Sequence, residues 1–241
     1  MRDNSILVQG LKQWNIHLTE AQEKQFELYY DLLIEWNSFM NLTAITDYEE
    51  VLKKHFLDSV ALFQTIAYKE PVTLLDMGTG AGFPGVPLKI IYPHLQVTLV
   101  DSLNKRINFL NEVIQKLELT NIVAIHGRAE ELARKPEFRE QFDFVVSRAV
   151  AKTVSLSELC LPYVKVNGYF APYKSGNIQE ELEEALYAIQ VLGGSYERLF
   201  AFNVPYSDME RTIPLIKKVK STSKAYPRAG GKPLKLPIIK K

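Results

Sequence analysis

The segment at residues 73–85, TLLDMGTGAGFPG, constrains the fold more than any other part of the chain. An apolar run leads directly into Gly78, Gly80 and Gly82, and Pro84 then stands near the start of a helical stretch. Glycines let the backbone turn sharply and leave room for a bound group at the carboxyl end of a strand. The segment therefore predicts the first strand, the cofactor loop and the first helix of a doubly wound α/β sheet.

The spacing of these glycines distinguishes between two kinds of cofactor site. The dinucleotide fingerprint Gly-x-Gly-x-x-Gly, started at Gly78, requires glycine at the position where Phe83 stands. The loop therefore disfavours a nicotinamide dehydrogenase and favours a nucleoside joined to a methionine moiety, which is S-adenosylmethionine. We expect Gly78, Gly80 and Gly82 to contact this cofactor, and Asp76 to orient the loop or accept from the methionine ammonium group. Alternatively, Asp76 only caps a turn.

Charged residues stand where three further strands would end. Asp101 closes the run TLVD, where a carboxylate can accept from both ribose hydroxyls, although dehydrogenases use the same device. Glu130 follows the third strand and could meet an adenine edge, or it is an ordinary residue of a first helical turn. Arg148 ends the fourth strand and could hold a carboxylate of the cofactor or a substrate phosphate, unless it pairs with a nearby acid.

Short apolar runs alternate with helical stretches through residues 71–220. This alternation predicts a mostly parallel, seven-stranded, doubly wound sheet that binds the cofactor. Strands are expected at 73–77, 97–100, 122–125, 144–147, 168–173, 199–203 and 212–219, and helices include 105–117, 155–163 and 178–191.

Residues 1–70 have helical periodicity instead. Thr19 and Gln22 have the spacing of a capping box and precede apolar positions that recur every three or four residues up to Trp36. Thr46 and Glu49 repeat the spacing before a second stripe that ends near Phe63. We therefore predict an N-terminal helical cap.

The charges are distributed unevenly along the chain. Residues 211–241 contain ten Lys or Arg and no Asp or Glu, whereas residues 1–210 contain 19 basic and 28 acidic residues. Such a basic segment is typical of a protein that binds a polyanion, and a solvated, solubilising tail is the alternative. Residues 221–241 are rich in Pro, Gly and Lys, which predicts an extended basic arm rather than a packed element.

Composition argues against several classes of protein. No run approaches the roughly 18 apolar residues of a membrane span, and the N-terminus lacks the apolar core of a signal peptide, so we expect a cytoplasmic protein without a membrane partner. Cys160 is the single cysteine, and no Cys/His cluster has metal-ligand spacing. We therefore expect neither an internal disulfide nor a metal site.

These residues, with motifs elsewhere in the chain, resemble the RsmG family, also called GidB, of bacterial methyltransferases that modify guanine N7 in 16S ribosomal RNA. The motifs are EWNSFMNLT at 35–43, HFLDS at 55–59, DMGTGAGFPG at 76–85, VDSLNKR at 100–106, RAE at 128–130, SRAV at 147–150 and YPR at 226–228, with Pro233 and Pro237. The resemblance covers nearly the whole chain, and several motifs lie outside the generic cofactor fold, which makes it specific.

The family resemblance implies a class I, Rossmann-like methyltransferase sheet with S-adenosylmethionine as its cofactor. It carries the family's cofactor contacts onto Gly78, Phe83, Ala129, Glu130 and Arg148. It also implies that the partner is 16S ribosomal RNA or a small-subunit assembly particle, and we expect the protein to be a monomer.

Guanine N7 carries a lone pair and no proton, so methyl transfer to it predicts no catalytic general base. We expect catalysis to come mainly from positioning, worth up to about 7 to 11 kcal/mol in favourable cases. Because the major-groove edge that carries N7 is inaccessible in A-form RNA, the target is expected in a loop or as a splayed base.

The basic arm is expected to hold this RNA. The residues expected to bind phosphates are Lys217, Lys218, Lys220, Lys224, Arg228, Lys232 and Lys235. Tyr226 would offer a stacking face, and His55 and Asp58 would line the substrate side of the cleft, although such a His is often a packing residue. Two other functions stay open: a small-molecule methyltransferase, and an RNA-binding protein with a vestigial cofactor site.

Overall fold

A seven-stranded sheet forms the centre of the protein, in a computed structural model that describes residues 2–64 and 72–240. The strands are β1 (Thr73–Met77), β2 (Gln96–Asp101), β3 (Ile122–His126), β4 (Phe142–Arg148), β5 (Val164–Ser175), β6 (Gly194–Asn203) and β7 (Glu210–Lys218). Their order is β3-β2-β1-β4-β5-β7-β6, and β7 is antiparallel to both of its neighbours while the other pairs are parallel. The predicted mostly parallel sheet is confirmed.

Helices cover both faces of this sheet. The α-helices are α1 (Ser5–Lys12), α2 (Glu20–Met40), α3 (Tyr48–Val51), α4 (Asp58–Val60), α5 (Gly85–Ile91), α6 (Asn104–Lys116), α7 (Ala129–Leu132), α8 (Thr153–Cys160), α9 (Gln179–Val191) and α10 (Lys232–Lys235). A π-helical stretch (Leu52–Leu57) joins α3 to α4. Successive side chains of a strand point to opposite faces, so Leu74 packs into one hydrophobic core and Leu75 into the other.

The edge strand β6 begins five residues before its predicted start, at Gly194 instead of Leu199. Most of its early side chains are exposed, because β6 pairs only with β7 and has no strand on its other side. A half-exposed edge strand lacks the continuous apolar run that identifies buried parallel strands in a sequence.

The helices α2 and α3 begin near the capping boxes that the sequence predicts. The capping box of α2 is confirmed, because Gln22 N donates to Thr19 Oγ1 (3.3 Å) and Thr19 N donates to Gln22 Oε1 (2.9 Å). The predicted cap at Thr46 is wrong by one residue, since α3 is capped by Asp47, which accepts from Glu50 N (3.0 Å). The Thr46 carbonyl instead accepts from the Tyr30 hydroxyl (2.8 Å), which holds it outside the helix.

The N-terminal helices share a core with one face of the sheet. Phe26, Tyr29 and Phe56 are fully buried in the same cluster as Leu74 and Leu99. The predicted boundary between residues 70 and 71 lies outside the described residues, as does the side chain of Phe63 at the end of the second stripe.

The C-terminal segment, residues 221–240, is packed against the sheet domain, so the predicted extended arm is wrong. Thr222 is 5% exposed, and Pro233 and Ile238 are buried as well. The segment has no helical or strand periodicity because it is held through its main chain: Arg139 donates to the Thr222 carbonyl (2.8 Å) and Arg134 to the Pro227 carbonyl (2.6 Å). Main-chain acceptors leave no pattern in a sequence.

Candidate active site

The glycine loop after β1 is tied to the neighbouring strand at the carboxyl edge of the sheet. Gly78 N and Thr79 N both donate to the Val100 carbonyl, at 2.9 and 3.1 Å. Gly78, Gly80 and Gly82 have φ angles of 69°, 61° and 97°, which favour glycine. A Cβ on Gly82 would lie 2.6 Å from the Tyr29 hydroxyl, so the N-terminal helices press directly on this loop.

Asp76 orients the loop from beneath. Its carboxylate is fully buried, and Oδ2 accepts from Thr79 Oγ1 (2.7 Å) and Gly85 N (2.8 Å). Burial raises the pKa of this carboxyl to about 6. Its other oxygen, Oδ1, is buried with no hydrogen-bond partner in the part of the chain that the structure describes. One acceptor is therefore left for a group absent from the protein itself.

Asp101 at the end of β2 is almost entirely buried and also supports the loop. Its Oδ2 accepts from Gly80 N (3.0 Å) and Arg106 Nη1 (3.1 Å), and its Oδ1 accepts from Leu103 N (2.9 Å). A carboxylate offers about four acceptor positions, so these bonds leave roughly one for a ribose hydroxyl.

A cavity of about 460 Å³, here called the nucleoside cavity, opens between the loop, β2 and α7. Its volume is within the usual range for small-molecule sites. It is lined by Met77, Gly78, Val100, Asp101, Ser102, Arg106, Gly127, Arg128, Ala129, Glu130, Ala149, Val150, Leu159, Gly231 and Leu234. Of the predicted cofactor residues, Gly78, Asp101, Ala129 and Glu130 meet here.

A second cavity of about 520 Å³, here called the cationic cavity, lies beside the first and shares Ala149 and Val150 with it. Its charged lining comprises Lys54, Asp58, Arg148, Lys174 and Arg211. Asp58 is 2% exposed and bridges two arginines: Oδ2 accepts from Arg148 Nη1 and Oδ1 from Arg211 Nε, both at 3.1 Å. The bridge holds two guanidinium groups at the wall.

Sequence analysis missed Lys174 and Arg211. Lys174 lies near the carboxyl end of β5, and its neighbour Ser175 pairs with Arg211 at the start of β7. The start of an antiparallel strand lies at the same edge as the ends of parallel strands, so only the strand order could have placed Arg211 here.

His55 lines the cationic cavity but is held as a packing residue. Its ring stacks on Phe83 at 4.6 Å, and its Nε2 lies 2.8 Å from Thr43 Oγ1. Burial, with the Arg148 guanidinium beside it, lowers the pKa of His55 to about 3, so the ring is neutral. Because Arg148 can only donate to Nδ1 (3.5 Å), the ring proton is assigned to Nε2.

The Phe83 side chain lies apart from the nucleoside cavity. It packs between the rings of His55, Phe56 and Tyr29, and the Arg148 guanidinium carbon lies 5.0 Å from its ring centroid. Phe83 therefore supports the wall that carries Arg148, and its ring is not among the residues that line the nucleoside cavity.

The structure also relocates the predicted RNA-binding residues. Lys218 is fully buried and donates to Leu161 O (2.5 Å) and Thr222 Oγ1 (2.8 Å), and its burial lowers its pKa to about 8. Arg228 pairs with the buried Glu158, with 2.7 Å between Nη2 and Oε2. Both side chains stabilise the fold. The prediction that Lys218 holds a phosphate is wrong because this side chain is fully buried, whereas the side chain of Arg228 is 29% exposed and its contact with RNA stays a prediction.

Lys217 and Tyr226 lie away from the cavities, whereas other tail lysines are free to meet solvent. Lys217 pairs with Tyr169, about four residues or roughly 13 Å along the strand from the level of Arg148. Tyr226 packs against the second hydrophobic core. Among the described tail residues, the exposed lysines are Lys220, Lys224, Lys232, Lys235 and Lys240.

Neither metal nor membrane features are found in the described parts of the chain. Within residues 2–64 and 72–240, no three His, Cys, Asp or Glu side chains are grouped to hold a metal ion. None of the helices there has the length and apolar character that a bilayer crossing requires.

The strand order, the glycine loop after β1 and the acidic residue ending β2 define a class I methyltransferase fold. The fold is shared with M. jannaschii TYW2, solved in complex with AdoMet, at 15% identity and a TM-score of 0.55 over 73% of this chain and 80% of that one. A SAM-dependent methyltransferase from Aquifex aeolicus has 21% identity and a TM-score of 0.52, over 71% and 94% of the two chains.

The chain belongs to the GidB family, rRNA small subunit methyltransferase G, whose family model matches residues 22–208. The ribosomal RNA small subunit methyltransferase G of Lachnoclostridium phytofermentans is 68% identical over the whole of both chains. The protein of the same name from Desulforamulus reducens is 52% identical over 99% of this chain and all of the relative. The family resemblance found in the sequence is confirmed.

Proposed function

We propose that this protein transfers the methyl group of S-adenosylmethionine to N7 of a guanine in 16S ribosomal RNA. The observation that carries the proposal is the junction of the two cavities at Ala149 and Val150, where a nucleoside site adjoins a wall of guanidinium groups. The names of the relatives support ribosomal RNA of the small subunit as the substrate.

Residues of the nucleoside cavity and of the glycine loop beside it fit this cofactor. Asp101 retains an acceptor for a ribose hydroxyl, and the buried Asp76 Oδ1 has no partner within the described chain. Gly80 has no atom within 4 Å of a hypothetical Cβ, so ligand atoms can lie against its backbone. The bound cofactor supplies an electrophilic methyl group on a sulfonium; Asp101, Glu130 and the loop would hold its nucleoside end.

The chain's own contribution is positioning rather than proton transfer. N7 is a lone-pair nucleophile, and His55 is neutral at physiological pH with a pKa of about 3, so it neither donates a proton nor is needed as a base. Arg148 and Arg211 would hold RNA phosphates, with Asp58 fixing both arginines, whereas Lys174 beside them is paired with Glu181 (2.6 Å). Two fixed guanidinium groups can orient a splayed nucleotide toward the shared wall.

We also propose which form of the RNA the protein binds and where it acts. The substrate is 16S ribosomal RNA, free or in an assembling small subunit, and the protein acts on it in the cytoplasm. We propose that the protein acts as a monomer. Sedimentation of the protein at assay concentration, with and without RNA, tests that state.

Methylation of three substrates with cofactor labelled in its methyl group tests the function. They are naked 16S RNA, assembling particles and mature subunits, all from a strain that lacks the gene. We expect label in at least one of them, at one guanine whose N7 methylation makes the strand cleavable after reduction and aniline treatment. The Asp101→Ala variant is the inactive control. Label at another atom, or on none of the three RNAs, contradicts the proposal.

A further inference from the structure

The loop at residues 229–235 is closed by a buried ion pair. Glu158 on α8 is 1% exposed and accepts from Arg228 N (2.7 Å), Nε (3.0 Å) and Nη2 (2.7 Å). The same Nη2 donates to the Leu236 carbonyl (2.7 Å), so Arg228 joins both ends of the loop. A buried carboxylate left unpaired is strongly unfavourable, which favours the docked position of this loop.

The loop closed in this way reaches the nucleoside cavity. Gly230 and Gly231 have φ angles of 71° and 70°, and Gly231 N donates to Glu130 Oε1 (3.2 Å). Gly231 and Leu234 both line the cavity. Although it faces a cavity, Leu234 is 55% exposed, so much of its apolar surface is open to solvent.

The position of Leu234 identifies the part of the cofactor that it would meet. Asp101 is placed for the ribose, and Glu130 lies beside the Gly230–Gly231 turn, so the base of the nucleoside extends toward this turn. Adenine is the flat, largely apolar part of the cofactor, and covering a leucine with it removes apolar surface of both from water.

We propose that Leu234 packs on the adenine of the cofactor and that Arg228 and Glu158 are positioning residues that keep it at the cavity. The inference rests on the proposed function, because it assumes S-adenosylmethionine in the nucleoside cavity. It assigns to the basic C-terminal segment a role in cofactor binding that its charge did not indicate.

Calorimetric binding of S-adenosylhomocysteine and of adenosine to the full-length protein tests the role of Leu234. We expect Leu234→Ala to weaken both ligands by a similar factor, about 3- to 10-fold, because both contain the adenine. Ile239→Ala is the matched control, since Ile239 is 67% exposed in the same segment and lies outside the nucleoside cavity. Its affinities should stay at the wild-type values.

Three outcomes separate the possible failures. Wild-type affinity of Leu234→Ala for both ligands, or an equal loss in Ile239→Ala, overturns the inference while the proposed function stands. A loss for S-adenosylhomocysteine but not for adenosine also overturns it, because the contact would then be to the amino-acid end. Failure of the wild-type protein to bind S-adenosylhomocysteine and S-adenosylmethionine overturns the proposed function itself.

The positioning role of Arg228 has its own readout. We expect Arg228→Gln to raise the KM for S-adenosylmethionine about 10-fold and to leave kcat nearly unchanged at saturating cofactor, with Arg228→Lys partly restoring the KM. Amide hydrogen exchange at residues 229–236 should be faster in Arg228→Gln, and cofactor should slow it in the wild type. Unchanged exchange and KM in Arg228→Gln would overturn this role.

Discussion

The nucleoside cavity and the cationic cavity lie side by side at one edge of the sheet, but they are assembled from different kinds of sequence. The nucleoside cavity takes most of its wall from the carboxyl ends of β1 and β2 and from the short segments that follow β1, β2 and β3. The cationic cavity joins distant segments: Asp58 and Arg211 stand 153 positions apart and form a 3.1 Å hydrogen bond. A local motif therefore predicts the first cavity, and only the strand order assembles the second.

The two cavities also differ in charge. The nucleoside cavity has two carboxylates, Asp101 and Glu130, which suit hydroxyl and amine donors, and two arginines, Arg106 and Arg128, which balance their charge. Guanidinium groups of Arg148 and Arg211 lie at the cationic cavity and suit phosphates. Substitutions that act on one ligand and spare the other test whether the two cavities have separate roles.

The largest expected effect is that of Gly78→Val on cofactor binding. Gly78 has a φ of 69°, and a Cβ there would lie 2.7 Å from Val150 Cγ2 on the wall shared by the cavities. We expect S-adenosylhomocysteine to bind more than about 100-fold less tightly by calorimetry, because a β-branched residue is strained at this φ and displaces the wall.

Gly176→Val is the control for this strain. Gly176 has a similar φ of 61°, with no atom within 4 Å of a Cβ, so it carries the backbone strain without the contact. Equal losses of cofactor affinity in the two variants would show that the loop near Gly78 has no special role.

A smaller effect is expected for Arg211→Gln, which should change the reaction with RNA and leave cofactor binding unchanged. Losing a charged hydrogen-bond donor should lower kcat/KM for RNA by roughly 10- to 100-fold, while calorimetry should show cofactor affinity within about twofold of the wild type. Lys217→Gln is the matched control, because Lys217 is on the same strand but lies toward the opposite edge of the sheet. A Lys217→Gln loss equal to that of Arg211→Gln would contradict this division.

The Asp76→Asn variant distinguishes two roles of Asp76: orienting the glycine loop, and supplying a negative charge to the cofactor. An Asn carbonyl can still accept from Thr79 and Gly85, so cofactor affinity at pH 7.5 should hold if Asp76 only orients the loop. It should fall about 10-fold if the carboxylate meets the methionine ammonium. Calorimetry with S-adenosylmethionine measures the difference between these two interpretations.

The same variant has a predicted pH signature. The pKa of Asp76 is about 6 in the folded protein against an ordinary value of 3.8, so the unfolded chain loses this proton first as pH rises. The free energy of unfolding should therefore fall between about pH 3 and 7 by on the order of 3 kcal/mol from this group. Denaturant titrations should show that Asp76→Asn removes this decline; an unchanged difference between the two pH values would contradict it.

The smallest effect is expected for exposed lysines of the C-terminal segment. Lys224→Gln should lower RNA affinity about two- to threefold at low salt and reduce the salt slope by about one if Lys224 meets one phosphate. Filter binding between low and moderate salt measures this. An unchanged slope would remove Lys224 from the RNA interface.

Removing the whole basic segment is not a clean test of RNA binding. Deletion after Val219 would take away Thr222, which binds the buried Lys218, and Arg228, which pairs with the buried Glu158. Such a variant would lose folding energy and the cavity wall together with its exposed lysines.

The positions of several site residues could be predicted because each stands in a local pattern. Gly78 and Asp101 follow strands whose carboxyl ends must share one edge, and the structure brings them to one cavity. Arg148 also ends its strand as predicted, but its contacts with Asp58 and Phe83 depend on the N-terminal helices. Lys218 was predicted to hold a phosphate because a sequence records its charge and not its burial.

The sequence by itself determined the class of sheet, the cofactor loop and the family, since these depend on hydrophobic periodicity, glycine spacing and local motifs. Tertiary structure alone decided which positive charges lie at a cavity. Lys218 and Arg228 have buried acceptors, while the Asp58 bridge holds Arg148 and Arg211 at a cavity. The physical reason is that the effect of a charge depends on the atoms within a few ångströms of it, and contacts between distant segments set those atoms.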